Sequence, residues 1–257
     1  MSSLRAKCPN CRTLTAVAID DGYECHSCGA TFRAGMVRVP RAWGDGGDAM
    51  VESASLDLPY PEAAVIEAGS WAEQNAVLAD ALPARPLVMG GCCCSHVGAV
   101  QALAARHGRI AVVWFDAHGD LNTPESSPSG NEWGMPLRAL IDDGTIRADD
   151  VALMGARSLD PPEVEFIEAA GVHLDDVDAA LDGADAVYVA LDVDVLDPED
   201  DVRMFMPEPG GPSVTEVEEI LRRVVAAKRL VGAGFTGVAG DPVNVPHLTR
   251  FASAMGL

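Results

Sequence analysis

The sequence predicts an α/β domain built on a parallel sheet covered by helices on both faces, preceded by a small cysteine-bearing module. Three observations carry this. From about Leu56 onward, short apolar runs alternate with longer amphipathic ones, the rhythm of strand and crossover helix. Two Cys-x-x-Cys pairs stand near the N-terminus. The charge is also split: residues 1–45 carry six basic against four acidic side chains, whereas the remainder of the 257-residue chain carries 12 against 35.

The N-terminal module comes first. Cys8-Pro-Asn-Cys11 and Cys25-His-Ser-Cys28 are separated by 13 residues, the spacing at which two knuckles place four thiolates around one zinc ion. Thr13–Ile19, an Asp21-Gly22 turn and Ala30–Phe32 suit short strands, so a zinc ribbon is expected, dependent on its metal for folding. Its surplus of basic charge is too small to favour nucleic acid, and it could equally hold a partner protein, a neighbouring subunit or its own main domain. Gly44, Gly46 and Gly47 mark a linker over residues 41–48. The expected domains are therefore 1–45 and 46–257.

Beyond the linker, strands are predicted at Leu87–Gly91, Ile110–Phe115, Val151–Ala156, Ala186–Leu191 and Leu230–Phe235. Helices are predicted at Val97–His107, Pro136–Asp143, Pro161–Ala170 and Ser213–Ala227, the last opened by a Ser213/Glu216 capping box. Residues 122–131, rich in Ser, Pro and Gly, read as a long loop.

Function enters at the ends of two of these strands. Asp116-Ala-His118-Gly-Asp120-Leu-Asn122 follows one, and Asp192-Val-Asp194-Val-Leu-Asp197-Pro follows another. In an extended segment alternate side chains share a face, so Asp116, His118 and Asp120 can converge with Asp192 and Asp194. Such carboxylates with an imidazole suit a pair of divalent cations, which can bind one hydroxide between them and make a nucleophile near neutral pH. A lone Asp-x-Asp at a strand end is often only a cap; two clusters on two core strands argue for a site.

These motifs resemble those of the arginase/agmatinase (ureohydrolase) family, GGDHS, DAHxDxN and SxDxDxxDP, over about Leu87–Pro242. Residues 116–122 match the second fully, and residues 190–198 match the third except that Ala190 replaces Ser. Residues 122–136 resemble the substrate loop of that family, and Ala156–Asp160 with Glu163 its next landmark. The resemblance implies a three-layer α/β/α fold, a dinuclear manganese centre and a small-molecule substrate. It implies one metal on Asp116, Asp120, Asp192 and the first-motif ligand, and another on His118, Asp194 and the bridging Asp116 and Asp192. Asp120 would also hold the hydroxide. Asn122, Ser129 and Asp160 would contact substrate, with a loop-closing role as the alternative, and a homo-oligomer is implied.

Three positions depart from that pattern. Where the family has GGDHS, this chain has Gly90-Gly91-Cys92-Cys93-Cys94-Ser95-His96. Gapless alignment puts Cys93 at the metal ligand, with Cys94 and His96 as competitors and buried filling as a further reading; a thiolate shifts preference from manganese toward zinc or iron, with nickel also possible. Trp133 stands where the family has a proton-shuttling His. Gly237 stands where a Glu holds the guanidinium, which disfavours arginine and agmatine.

The composition narrows the rest. With a net charge of -21 and two lysines, the main body is no nucleic-acid surface. No apolar run nears the roughly 18–20 residues of a membrane span, and no signal-peptide core is present, so a cytoplasmic protein is expected. The expected activity is metal-dependent hydrolysis of linear C–N bonds in an amidine, guanidine or related group. A catalytically impaired scaffold or regulator, and a metal-dependent deacylase on the same fold class, are the competing readings.

Overall fold

In the computed structural model, which describes residues 5–257, twelve strands fall into two sheets. The ribbon contains β1 (Arg5–Ala6), β2 (Ala16–Ile19), β3 (Gly22–Cys25) and β4 (Thr31–Phe32), paired antiparallel in that order. Its hairpin turns through Asp20-Asp21, one residue earlier than expected: Asp20 takes the left-handed conformation, φ 52°, and Gly22 already pairs with Ile19.

The main sheet holds β5 (Gly35–Val39), β6 (Glu62–Val65), β7 (Pro86–Gly90), β8 (Ile110–Phe115), β9 (Val151–Met154), β10 (His173–Leu174), β11 (Ala186–Asp192) and β12 (Leu230–Thr236). All neighbours are parallel, in the order β10-β9-β8-β11-β12-β7-β5-β6. Seven helices accompany it: α1 (Trp71–Ala81), α2 (Val97–His107), α3 (Pro136–Asp142), α4 (Pro161–Ala170), α5 (Val177–Leu181), α6 (Val214–Ala227) and α7 (Asn244–Ala254).

The period-two pattern of buried strands divides the core. Along β8, Ile110, Val112 and Trp114 pack with residues of α1 to α4, while Ala111, Val113 and Phe115 pack with residues of α5 to α7. The result is the expected three-layer α/β/α fold. Each fully buried Val, Leu or Phe in these layers contributes about 1.5–3 kcal/mol, which makes the central strands a rigid floor. The capping box at the start of α6 forms as expected, with Ser213 and Glu216 exchanging side-chain to backbone bonds.

The boundary expected at residue 45 is moved by the hydrogen bonds. β5 pairs with both β6 and β7 inside the main sheet, so the seam between ribbon and body lies between Phe32 and Gly35. Arg38 interrupts the apolar run of β5; its guanidinium is satisfied by Glu62 at 2.6 Å and by the Leu56 carbonyl at 2.9 Å. The 41–48 segment is no free linker either, since Ala42 and Met50 are buried against Cys92 and Cys94. The ribbon docks on β6 through reciprocal backbone bonds between Lys7 and Glu62, 2.9 and 3.0 Å, and an Arg12–Asp57 ion pair. No helix among the described residues is long and apolar enough to cross a membrane.

Candidate metal centre

Parallel strands in a twisted sheet end side by side, and here β7, β8, β11 and β12 deliver their carboxyl ends to one cleft. The register places Leu191 beside Phe115 and Asp192 beside Thr236, so the acidic residues after β8 and at the end of β11 meet at one level. Two compact groups result. Cys93, Asp116 and Asp192 form one, and Asp116, His118 and Asp194 the other, with ligand atoms within 4.8 Å of one another in each. Asp116 belongs to both. Asp120 lines the same cavity but joins neither triplet, and Asp192 enters only the first.

Strand alternation is not what aims these side chains. β8 ends just before Asp116 and β11 ends on Asp192, and each of these acids then accepts the backbone N–H two residues on: His118 N to Asp116 Oδ1 at 2.7 Å, and Asp194 N to Asp192 Oδ1 at 3.0 Å. These paired Asx turns orient the ligands. Asp194 Oδ1 accepts from Ala117 N at 3.0 Å, tying the two motifs together. Asp120 is left-handed, φ 54°, a conformation that Asp tolerates and that turns its carboxylate into the cavity.

The electrostatics demand positive charge. Burial, then the neighbouring Asp194, pushes Asp192 up to about 7; burial, then Asp116, pushes Asp194 up to about 7. Burial and Asp116 drive Asp120 well above the carboxylate range, and burial with Asp120 and Asp192 does the same to the Cys93 thiol. Burial opposes charge on His118, yet its hydrogen bonds to Asp116 and Asp194 raise it to about 12. Asp120 Oδ2 is buried without a hydrogen-bond partner. Mutually repelling acids with one orphaned oxygen fit a site for cations.

The other first-motif candidates are placed elsewhere. His96 is fully buried and bonds Tyr188 and Thr236, while Cys92 and Cys94 pack with Ala42 and Met50. Cys93 alone of the four reaches the acids, at 3.1 Å from Asp192 Oδ2 and 3.5 Å from Asp116 Oδ2.

The cavity holds about 220 Å³. Asn122 donates to Asp160 Oδ2 at 2.8 Å and accepts from Ser126, so these two polar groups are already engaged with each other. Ser129, exposed at the mouth, accepts from Asn131 N at 3.2 Å. Glu163 is buried and accepts from Leu121 N and Asp160 N, both at 2.9 Å, which pins the Asp120 turn to the start of α4. Trp133 forms a wall, its ring lying against Gly44. Sequence reasoning missed Met50, hidden in the supposed linker, and Met206 and Glu208, brought by a loop without periodicity. Glu208 Oε1 lies 4.0 Å from His118 Nε2. It also missed Thr236, one residue past the predicted strand end, whose hydroxyl is 3.2 Å from Cys93 Sγ.

A family profile described as "Arginase family" matches residues 44–243. The chain belongs to the arginase family. An arginase of Bacillus caldovelox is 32% identical over 181 residues, covering 60% of this chain and 60% of the relative. An arginase of Bacillus subtilis is 33% identical over 180 residues, covering 60% and 61%. The chain thus spans, in these matches, about 60% of the length of those arginases. In three dimensions the likeness extends further: the crystal structure of Bacillus subtilis arginase superposes with a TM-score of 0.76 at 25% identity, over 86% of this chain and 97% of that one.

The backbone at Gly237 is closed to side chains by geometry. Gly237 has φ 67°, and a Cβ built on it would overlap the Asp192 carboxylate. No side chain fits there without displacing Asp192.

The ribbon cluster is separate. Cys8 and Cys28 sulfurs are 3.8 Å apart and those of Cys11 and Cys25 3.5 Å. With Zn–S bonds of about 2.3 Å, a tetrahedron has edges near ~3.8 Å. Thr15, bonded to Cys25 Sγ at 3.3 Å, helps lower that thiol to about 5.

Proposed function

We propose that this chain is a metal-dependent hydrolase of linear C–N bonds in a small-molecule substrate, working in the cytoplasm as a homo-oligomer. The observation that carries the reading is the pair of ligand triplets sharing Asp116 at the carboxyl ends of a parallel sheet. Cys93, Asp116, Asp120 and Asp192 would hold one divalent cation, and Asp116, His118, Asp192 and Asp194 the other. When bound, the pair supplies Lewis acidity and lowers the pKa of water toward neutrality. Manganese suits the carboxylates; the Cys93 thiol tilts the first position toward zinc or iron. Four ribbon cysteines, Cys8, Cys11, Cys25 and Cys28, would hold one structural zinc.

The chain's own groups divide the remaining work. Asp120 Oδ2, unpartnered and aimed into the cavity, can accept the proton of the attacking water. Asn122 and Asp160, locked together, and Ser129 at the mouth position the substrate tail. Trp133 excludes water and offers an N–H donor but cannot shuttle a proton at neutral pH. No carboxylate can stand at Gly237, so a neutral or weakly basic sp² carbon centre is favoured over the guanidinium of arginine or agmatine.

The test is a panel of guanidino, amidino, formimino and ureido compounds assayed with manganese, zinc, nickel and iron. Release of urea, ammonia or formamide, abolished by Asp116→Ala, supports the reading. A fully metal-loaded protein inert toward every member favours the second reading, a scaffold or regulator, which Trp133 and Gly237 motivate.

A further inference from the structure

His96, a candidate ligand in the sequence, is held away from the acids and given a built site of its own. Its ring is completely buried, edge-on to Trp114 and Tyr188 with centroids 5.2 and 5.8 Å away. A Cβ on Gly234 would come within 2.7 Å of the ring, so the glycine in the middle of β12 leaves the space the imidazole fills. Both nitrogens face neutral hydroxyls: Nδ1 is 2.9 Å from Tyr188 Oη and Nε2 is 3.4 Å from Thr236 Oγ1. Thr236 Oγ1 is in turn 3.2 Å from Cys93 Sγ.

Hydrogen-bond accounting gives this row a direction. His96 Nδ1 is the partner the structure gives the buried Tyr188 hydroxyl, so the phenol proton must be donated to it or go unsatisfied, at a cost of about 1–3 kcal/mol. Nδ1 is then the acceptor, the ring is the Nε2–H tautomer, and Nε2 donates to Thr236 Oγ1. With its oxygen accepting from behind, the Thr236 proton points forward to Cys93 Sγ or to the adjoining Asp192 carboxylate. Either acceptor is an anion when a cation is held.

We propose that Tyr188, His96 and Thr236 form a directed hydrogen-bond row that positions Cys93 as a thiolate ligand, with Thr236 as the contact and His96 as the positioning residue behind it. The row rests on the reading of Cys93 as a ligand. Metal ligands oriented by such outer partners typically lose about 10- to 100-fold in metal affinity when the partner is removed.

The experiment uses the full chain with its ribbon filled by zinc and the main site loaded with Co²⁺. The thiolate-to-cobalt charge-transfer band is read as the difference from Cys93→Ala, which cancels any ribbon contribution. Thr236→Val, nearly isosteric but without the hydroxyl, should weaken Co²⁺ binding by about 10- to 100-fold and shift or diminish the band. Thr236→Ser should restore both. Tyr188→Phe, two links farther back, should move them in the same direction by less. Unchanged band and affinity in both Thr236→Val and Tyr188→Phe would overturn the row, even if thermal stability falls. Identical Co²⁺ spectra for the native chain and Cys93→Ala, a zero difference, would instead reject Cys93 as a ligand, a failure of the parent reading that is recognisably different.

Discussion

The two ligand clusters of this chain are assembled by opposite means. In the ribbon, four thiols within a 21-residue stretch converge on turns, backed by strands of two to four residues and a core of five buried side chains. At the sheet end, residues as distant in sequence as Cys93 and Asp194 are brought together by strands buried on both faces. The ribbon has too little apolar burial to hold its shape without a metal, whereas the sheet end has its shape set by the core and merely tolerates its acids. On the proposed reading, the first cluster would be folded by its ion, whereas the second is built beforehand from mutually repelling acids that an ion would relieve.

The largest expected effect follows from the shared ligand. Asp116→Ala removes a group common to both triplets, so metal affinity at the main site should fall by more than the roughly 100-fold typical of outer partners, and turnover should vanish. Circular dichroism and ribbon zinc should be unchanged. Gly237→Ala comes next: a methyl group overlapping Asp192 at a positive φ should displace the carboxylate, cut metal uptake, and cost about 1–3 kcal/mol of strain, measurable by urea unfolding.

Chelation sharpens the contrast between regions. Treatment with a strong chelator should open the ribbon to proteolysis at Lys7, Arg12 and Arg33 while hydrogen exchange in β8 and β11 stays slow; equal protection of both regions would break the comparison. The smallest effect is in pH. Asp192 and Asp194 are pushed up to about 7 chiefly by burial, so the metal-free folded chain keeps protons that the unfolded chain loses near ~4. Folded protein then binds more protons than unfolded, and stability of the metal-free main domain should decline as pH rises from about 4 to 7. His118, raised to about 12, adds to the same trend: its stabilising contribution is fully present below the ordinary histidine value of about 6.5 and fades as pH climbs toward 12. Denaturation curves at pH 5 and 7.5, with and without manganese, should show the decline only in the metal-free series.

Much of this was legible because buried parallel strands are continuous apolar runs. Ile110–Phe115 and the helices and strands predicted after it fell within a residue or two of their observed limits, whereas β10, α5 and α7 were not predicted. The misses have physical causes. β5 carries Arg38 in mid-strand, and β6 is an edge strand of small residues, so neither shows the apolar run that burial on both faces imposes. α1 was overlooked although Ser70 and Glu73 mark its start, because its apolar face is weak and mostly exposed. At the site, the candidate Asp and His ligands were readable from their motifs, but the reason they converge was not: paired Asx turns, not strand alternation, aim them. The choice among Cys92, Cys93, Cys94 and His96 needed three dimensions, since adjacent residues in a tight turn diverge and only Cys93 faces the acids.

Elemental analysis of freshly purified full-length protein tests the central claim most directly. About three metals per chain are expected, one of them zinc that survives Asp116→Ala and two that do not. A single ribbon zinc, with the sheet end empty even after incubation in manganese, zinc or iron, would contradict it.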